Sequence, residues 1–127
     1  MLNTILETLS QARTNFGGLI RESDAIILQS QVGEKLLGDL KVDMRNIMAS
    51  TESMLGTANS ADYAQNKVQY WEYILDAAKA SLFCKDAVGG VQAILMKMSD
   101  DGDEEVMESQ SIRQKIGEIT DAMRKWQ

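Results

Sequence analysis

No histidine and no proline occur in these 127 residues, and there is a single cysteine. The missing histidine removes the commonest general base, the commonest metal ligand and the usual pH switch. The missing proline leaves nothing to break a helix from within, so long helices can run uninterrupted. A lone Cys84 can neither close an intrachain disulfide nor build a cysteine-based zinc site. It sits in the apolar stretch Ser81-Leu82-Phe83-Cys84 with no histidine to activate it, so it reads as a small buried hydrophobe and not as a nucleophile. The net charge is −6 and no basic cluster suits phosphates, so no nucleic-acid partner is expected. No apolar run reaches the roughly 18 residues of a membrane span. The N-terminus has no basic stretch followed by an apolar core, so no cleaved secretory signal is expected. These absences together predict a protein that is not an enzyme and holds no cofactor or metal. It is expected in the cytoplasm, or exported without a cleaved signal peptide.

What the chain does have is periodicity. Alternating steps of three and four from Leu2 reach Ile5, Leu9, Ala12, Phe16, Leu19, Ser23, Ile26, Ser30, Gly33, Leu37, Leu40, Met44, Ile47, Thr51 and Met54. Of these sixteen positions only Ser23, Ser30, Gly33 and Thr51 are not apolar. A 3.5-residue period keeps one stripe of a helix facing a partner. Thr4-Ile5-Leu6-Glu7 fits a capping box at the helix start. Gly17-Gly18 costs about 1 kcal/mol per glycine in a helix, yet the phase continues across the pair. A loop has no reason to preserve phase. The spacing therefore predicts a helix from about 3 to 55 that continues or kinks through Gly17-Gly18, with a turn there as the alternative.

Two more helices follow. Gly56-Thr57-Ala58-Asn59-Ser60 reads as a tight break, with Asn59 or Ser60 as the next N-cap. A second helix is expected over 61–99, on the stripe Tyr63, Tyr70, Ile74, Ala77, Cys84, Val88, Val91 and Leu95. Val68, Trp71, Leu75, Ala78 and Leu82 widen that face, which suggests contact with more than one neighbour. Gly89-Gly90 interrupts it without shifting the phase. After Ser99-Asp100-Asp101-Gly102-Asp103, a third helix is expected over 104–126 on Ile112, Ile116, Ile119, Met123 and Trp126.

The acidic run at residues 100–105 invites a calcium loop. With Gly102 at the turn glycine, the first ligand position falls on Lys97, a cation, and the signature fails. The cluster Tyr70-Trp71-Glu72-Tyr73 is more informative. Successive helical residues point about 100° apart, so at least one of these rings must leave the core. Tyr70, Trp71 and Tyr73 are therefore candidate partner-binding residues. The seam residues Ile26, Leu37, Leu40 and Met44 are the other candidates. The eight methionines sit mainly on or beside the stripes; core filling and an adaptable partner-binding surface are both open to them.

Tyr70-x-x-Tyr73 and the run from Ser81 to Leu95, with Lys85, Val88-Gly89-Gly90-Val91 and Ile94-Leu95, resemble the C-terminal helix of type III secretion inner-rod and needle subunits. The likeness covers residues 70–98. Residues 109–123 are similar to the last helix of secreted filament and translocator proteins of the same systems. The chain departs from the rod and needle pattern in its third helix and in its long first heptad. The resemblance implies a bacterial helical protein that assembles into a polymer or bundle, and it assigns no functional residue.

The expected fold is all-α: one domain over 1–127, an antiparallel bundle of three long helices with coiled-coil-like packing, or four if Gly17-Gly18 turns the chain. A straight first helix would be about 80 Å long, against about 58 Å and 35 Å for the others. Part of its seam would then stay uncovered, with the middle stretch at Ser23, Ser30 and Gly33 as the place where packing changes. The expected function is self-association (a homo-oligomer) or binding of a protein partner, as a secretion-system component or, as the alternative, a small cytoplasmic chaperone or adaptor that binds a partner's amphipathic helix.

Overall fold

The computed structural model describes residues 2–97, 114–115, 117–122 and 124. The helices are α1 (Leu2–Gln29), α2 (Gln31–Thr57) and α3 (Ser60–Lys97), and the described residues contain no strand. Of the expected last helix, residues 114–115 and 117–122 are helical. The remainder of it and the acidic run at 100–105 lie outside the described residues.

The stretch expected to form one helix from 3 to 55 forms two. Ser30 leaves the helix with φ −150° and ψ 127°, and its hydroxyl accepts the Gly33 amide at 3.1 Å. This single extended residue caps α2 and turns the chain. Lys41 of α2 pairs with Asp24 of α1, and a Cβ added to Gly17 would meet Met48 Sδ at 3.9 Å. A Cβ added to Gly33 would meet Ile26 Cγ2 at 2.6 Å. Positions rise on one helix as they fall on the other, so α1 and α2 form an antiparallel hairpin. Gly17-Gly18 lies inside continuous helix, and the turn sits twelve residues further on. Unbroken phase did not mean an unbroken helix here, because Ser30 is itself a seam position. Ile26 and Gly33, a turn to either side of it, both face inward, so the stripe closes on itself. Thr4 does not cap α1, which begins at Leu2; the Thr4 carbonyl instead accepts the Thr8 hydroxyl at 2.8 Å.

Helix lengths now agree. At 1.5 Å per residue α1 and α2 span about 42 Å and 40 Å, so the two halves of the seam cover one another. Ile5, Leu9, Phe16, Leu37 and Met44 have no exposed surface, and Leu2, Ala12 and Met54 are half-buried. Each fully buried aliphatic contributes about 1.5–3 kcal/mol over its exposed state.

Ala58 and Asn59 alone join α2 to α3, and the Asn59 side chain accepts the Asp62 amide at 2.9 Å. α3 runs antiparallel to α2, with Tyr73 beside Thr51 and Ile47, and parallel to α1. Thr8–Asn15 border the same groove as Ile74–Leu82, and Ile26–Val32 the same cavity as Gln92–Met96. This register sets Leu2 level with Lys67 and Val68, so the first two turns of α3 overhang the hairpin. There the helix kinks at Asn66 (φ −123°, ψ 27°), whose side-chain amide donates to the Asp62 carbonyl at 3.1 Å. Gly89-Gly90 does not break α3.

Candidate interaction surface

The seven residues singled out in the sequence separate by depth. Ile26, Leu37, Leu40 and Met44 are in the core between the helices, as are Tyr70 and Tyr73. Only Trp71 reaches the surface, with 37% of its area exposed. Met96 is the broadly exposed methionine among those described, whereas Met44 is buried and Met48 and Met54 are half-buried.

Tyr73 is a structural link. Its hydroxyl lies 2.7 Å from Thr51 Oγ1 and 3.3 Å from the Ile47 carbonyl, which also accepts the Thr51 hydroxyl at 2.9 Å. Burial pushes its phenol up to about 12, against a smaller lowering by the Thr51 hydrogen bond. Tyr70 donates to the Asp62 carboxylate; its pKa is raised, first by burial and then by that contact. The Cys84 thiol has no exposed surface and is pushed up to about 12 by burial, with Asp43 adding to the shift, so it remains protonated.

Around the α3 kink the aromatic side chains brace one another. The Tyr63 and Tyr70 rings lie 6.1 Å apart at 48°, and Lys67 Nζ stands 5.7 Å from the Tyr63 ring centre. The Trp71 indole donates to the Tyr63 hydroxyl at 3.2 Å. Trp71 is therefore held in place while remaining partly open to solvent.

Trp71 belongs to a longer feature. Val68, Leu75 and Leu82 are 69%, 62% and 65% exposed, and Ala78 is exposed with them. With Trp71 these residues follow steps of three and four, a second heptad stripe on α3. The inward stripe through Tyr70, Tyr73, Ala77, Ala80, Cys84, Ala87 and Val91 lies about 170° away around the helix. The residues expected to widen the buried face instead form an outward one. The buried face widens on the opposite side, through Tyr73, Ala80 and Ala87, because α2 lies there. The sequence signal for a separate stripe was its own regular spacing.

The outward stripe borders a groove of about 340 Å³ between α3 and α1, rimmed by Leu82 and Ala78 on one side and by Thr8, Gln11, Ala12 and Asn15 on the other. A wider cavity of about 740 Å³ lies at the Ser30 end, between Ile26, Gln29, Val32 and Leu95. The described residues lining it include no titratable group. Among the described residues there is no group of three or more metal-ligating side chains, and no helix long and apolar enough to cross a membrane. No protein-family model matches the chain, and neither a curated protein nor a solved structure shows significant similarity to it.

Proposed function

We propose that this helical protein is a non-enzymatic protein-interaction module, and that the outward stripe of α3 is where it associates. The observation that carries this reading is the run Val68, Trp71, Leu75, Ala78 and Leu82, apolar at heptad spacing and open to solvent on a helix already packed on its opposite face. Scattered exposed apolar residues need no explanation; a contiguous stripe with an anchored tryptophan has the makeup of an interface. The likeness of residues 70–98 to inner-rod and needle subunits points the same way, toward a secreted or assembling helical protein. The alternative, a chaperone or adaptor that takes a partner's helix into a methionine-rich groove, has less support, because Met44, Met48 and Met54 are wholly or partly covered.

Light scattering and circular dichroism on Leu75→Asp/Leu82→Asp, beside Leu37→Asp, test the reading. The double surface variant is expected to keep its helix content and melting midpoint while losing association. Leu37→Asp, which places a charge in the core, is expected to unfold. Unfolding of the Leu75→Asp/Leu82→Asp chain would show that the stripe is internal core and would end the proposal.

A further inference from the structure

The charges beside the outward stripe identify its occupant. We infer that a second copy of this chain docks on α3, with the two α3 helices antiparallel about a two-fold axis. The inference rests on the reading of α3 as a docking surface. A two-fold contact must be self-complementary, residue for residue. With Val68, Leu75 and Leu82 as one set of seam positions and Trp71, Ala78 and Lys85 as the other, antiparallel pairing sets each set against the other. Leu75 then meets the partner's Ala78, large against small, and Trp71 meets the partner's Leu82. Lys85 falls at the end of the contact beside the partner's Val68, where its stem can lie along the seam and its ammonium reach water.

The flanking residues agree with that register. Glu72 and Lys79 are exposed on the side of the stripe away from the α1 groove, and neither has an ion pair among the described residues. In the antiparallel pair Glu72 faces the partner's Lys79, and symmetry repeats the contact as Lys79 facing the partner's Glu72. Parallel pairing would instead stack Trp71 on the partner's Trp71 and set Lys85 against the partner's Lys85 inside the seam. Like charges at such positions are selected against. The groove between α3 and α1 lies on the other side of the stripe and gives the incoming helix a second wall.

The test uses the full chain in sedimentation and light scattering across a wide concentration range. The mass is expected to rise from 14.1 kDa toward twice that value. Glu72→Lys or Lys79→Glu alone turns both cross-pairs into like-charge contacts, and each is expected to weaken the dimer by about tenfold at low salt. Glu72→Lys/Lys79→Glu together restore opposite charges and are expected to bring affinity back to within about twofold of the parent. Both substitutions are on the surface, so helix content should not change in any of the three variants. A double variant as weak as the single ones would overturn the antiparallel register. A dimer that survives Leu75→Asp would overturn the surface. A chain that stays monomeric while Leu75→Asp/Leu82→Asp still folds would overturn the second copy alone, and leave the stripe to a different protein.

Discussion

An alanine at position 33 separates two accounts of the first half of the chain. A methyl group on Gly33 would lie 2.6 Å from Ile26 Cγ2 and 3.1 Å from the Ile26 carbonyl oxygen. Ile26 is buried and β-branched, so its side chain has little freedom to swing away. The carbonyl belongs to the backbone of α1. The methyl must therefore push α1 and α2 apart beside the Ser30 cap. Overpacking of this kind costs about 1–3 kcal/mol. Replacing a helical glycine by alanine also gains about 1 kcal/mol through backbone preference, so Gly33→Ala should come out between neutral and about 2 kcal/mol destabilised. Gly38, in the same helix, has nothing within 4 Å of an added Cβ. Gly38→Ala should show the gain alone, stabilising by about 0.5–1 kcal/mol. The two variants should differ by about 1–3 kcal/mol, the size of the clash. For a chain of this length that is about 3–5 °C in melting midpoint per kcal/mol. Urea titration followed by circular dichroism, with thermal melts as a check, measures the difference. In a helix continuous through Ser30, α1 could not lie beside Gly33. Equal stabilisation by both substitutions would refute the hairpin.

Other consequences are open to measurement. Ser30→Ala removes the hydroxyl that caps α2 and should cost about 1 kcal/mol in urea titration. Thr51→Val and Tyr73→Phe should each destabilise by about 1 kcal/mol and be non-additive, since both hydroxyls serve the Ile47 carbonyl; a coupling near zero in the double-mutant cycle would mean they act independently. Tyr73 and Cys84 have folded pKa values near 12, above their ordinary 10.0 and 9.0. Their contribution is complete below the ordinary values and is lost as pH rises toward 12, because the unfolded chain releases these protons first. Stability should therefore begin to fall above about pH 9, and Cys84→Ala should move that onset up toward pH 10. A urea midpoint constant from pH 8 to 11 would contradict the burial of both groups. Cys84 should also resist alkylation in the native protein and react fully in urea, as read by mass spectrometry.

The helical class, a tight break within Gly56–Ser60 and a cap at Asn59 or Ser60 were legible because each depends on local chemistry; the structure narrows the break to Ala58-Asn59 and the cap to Asn59. The Ser30 turn was not. Heptad phase records which side of a helix is buried but not the direction in which the chain runs. The four seam positions that are not apolar carried the missing information. Ser30 caps α2, Gly33 admits the backbone of α1, and Thr51 bonds with Tyr73. Ser23 returns its hydroxyl to the Leu19 carbonyl at 2.9 Å, which lets it be buried without a partner on another helix. None of these roles shows in periodicity: Ser30 and Ser23 act through local hydrogen bonds, and the other two depend on which helix lies opposite.

Folding at Ser30 also moves the demand for a partner. As one helix, the seam from Leu2 to Met54 would outrun the rest of the chain, and Ile26, Leu37, Leu40 and Met44 would be where another molecule meets it. As a hairpin the seam satisfies itself, and those residues become core. α3 then packs one face against α1 and α2, and its second heptad stays exposed on the far side of the hairpin. Substitutions on the two stripes should accordingly separate by outcome. A charge at Leu37 should abolish the fold before association can be measured, because a buried unpaired charge costs several kcal/mol against a total stability of about 5–15 kcal/mol. A charge at Leu75 should leave the fold intact and act only on what the helix meets outside it.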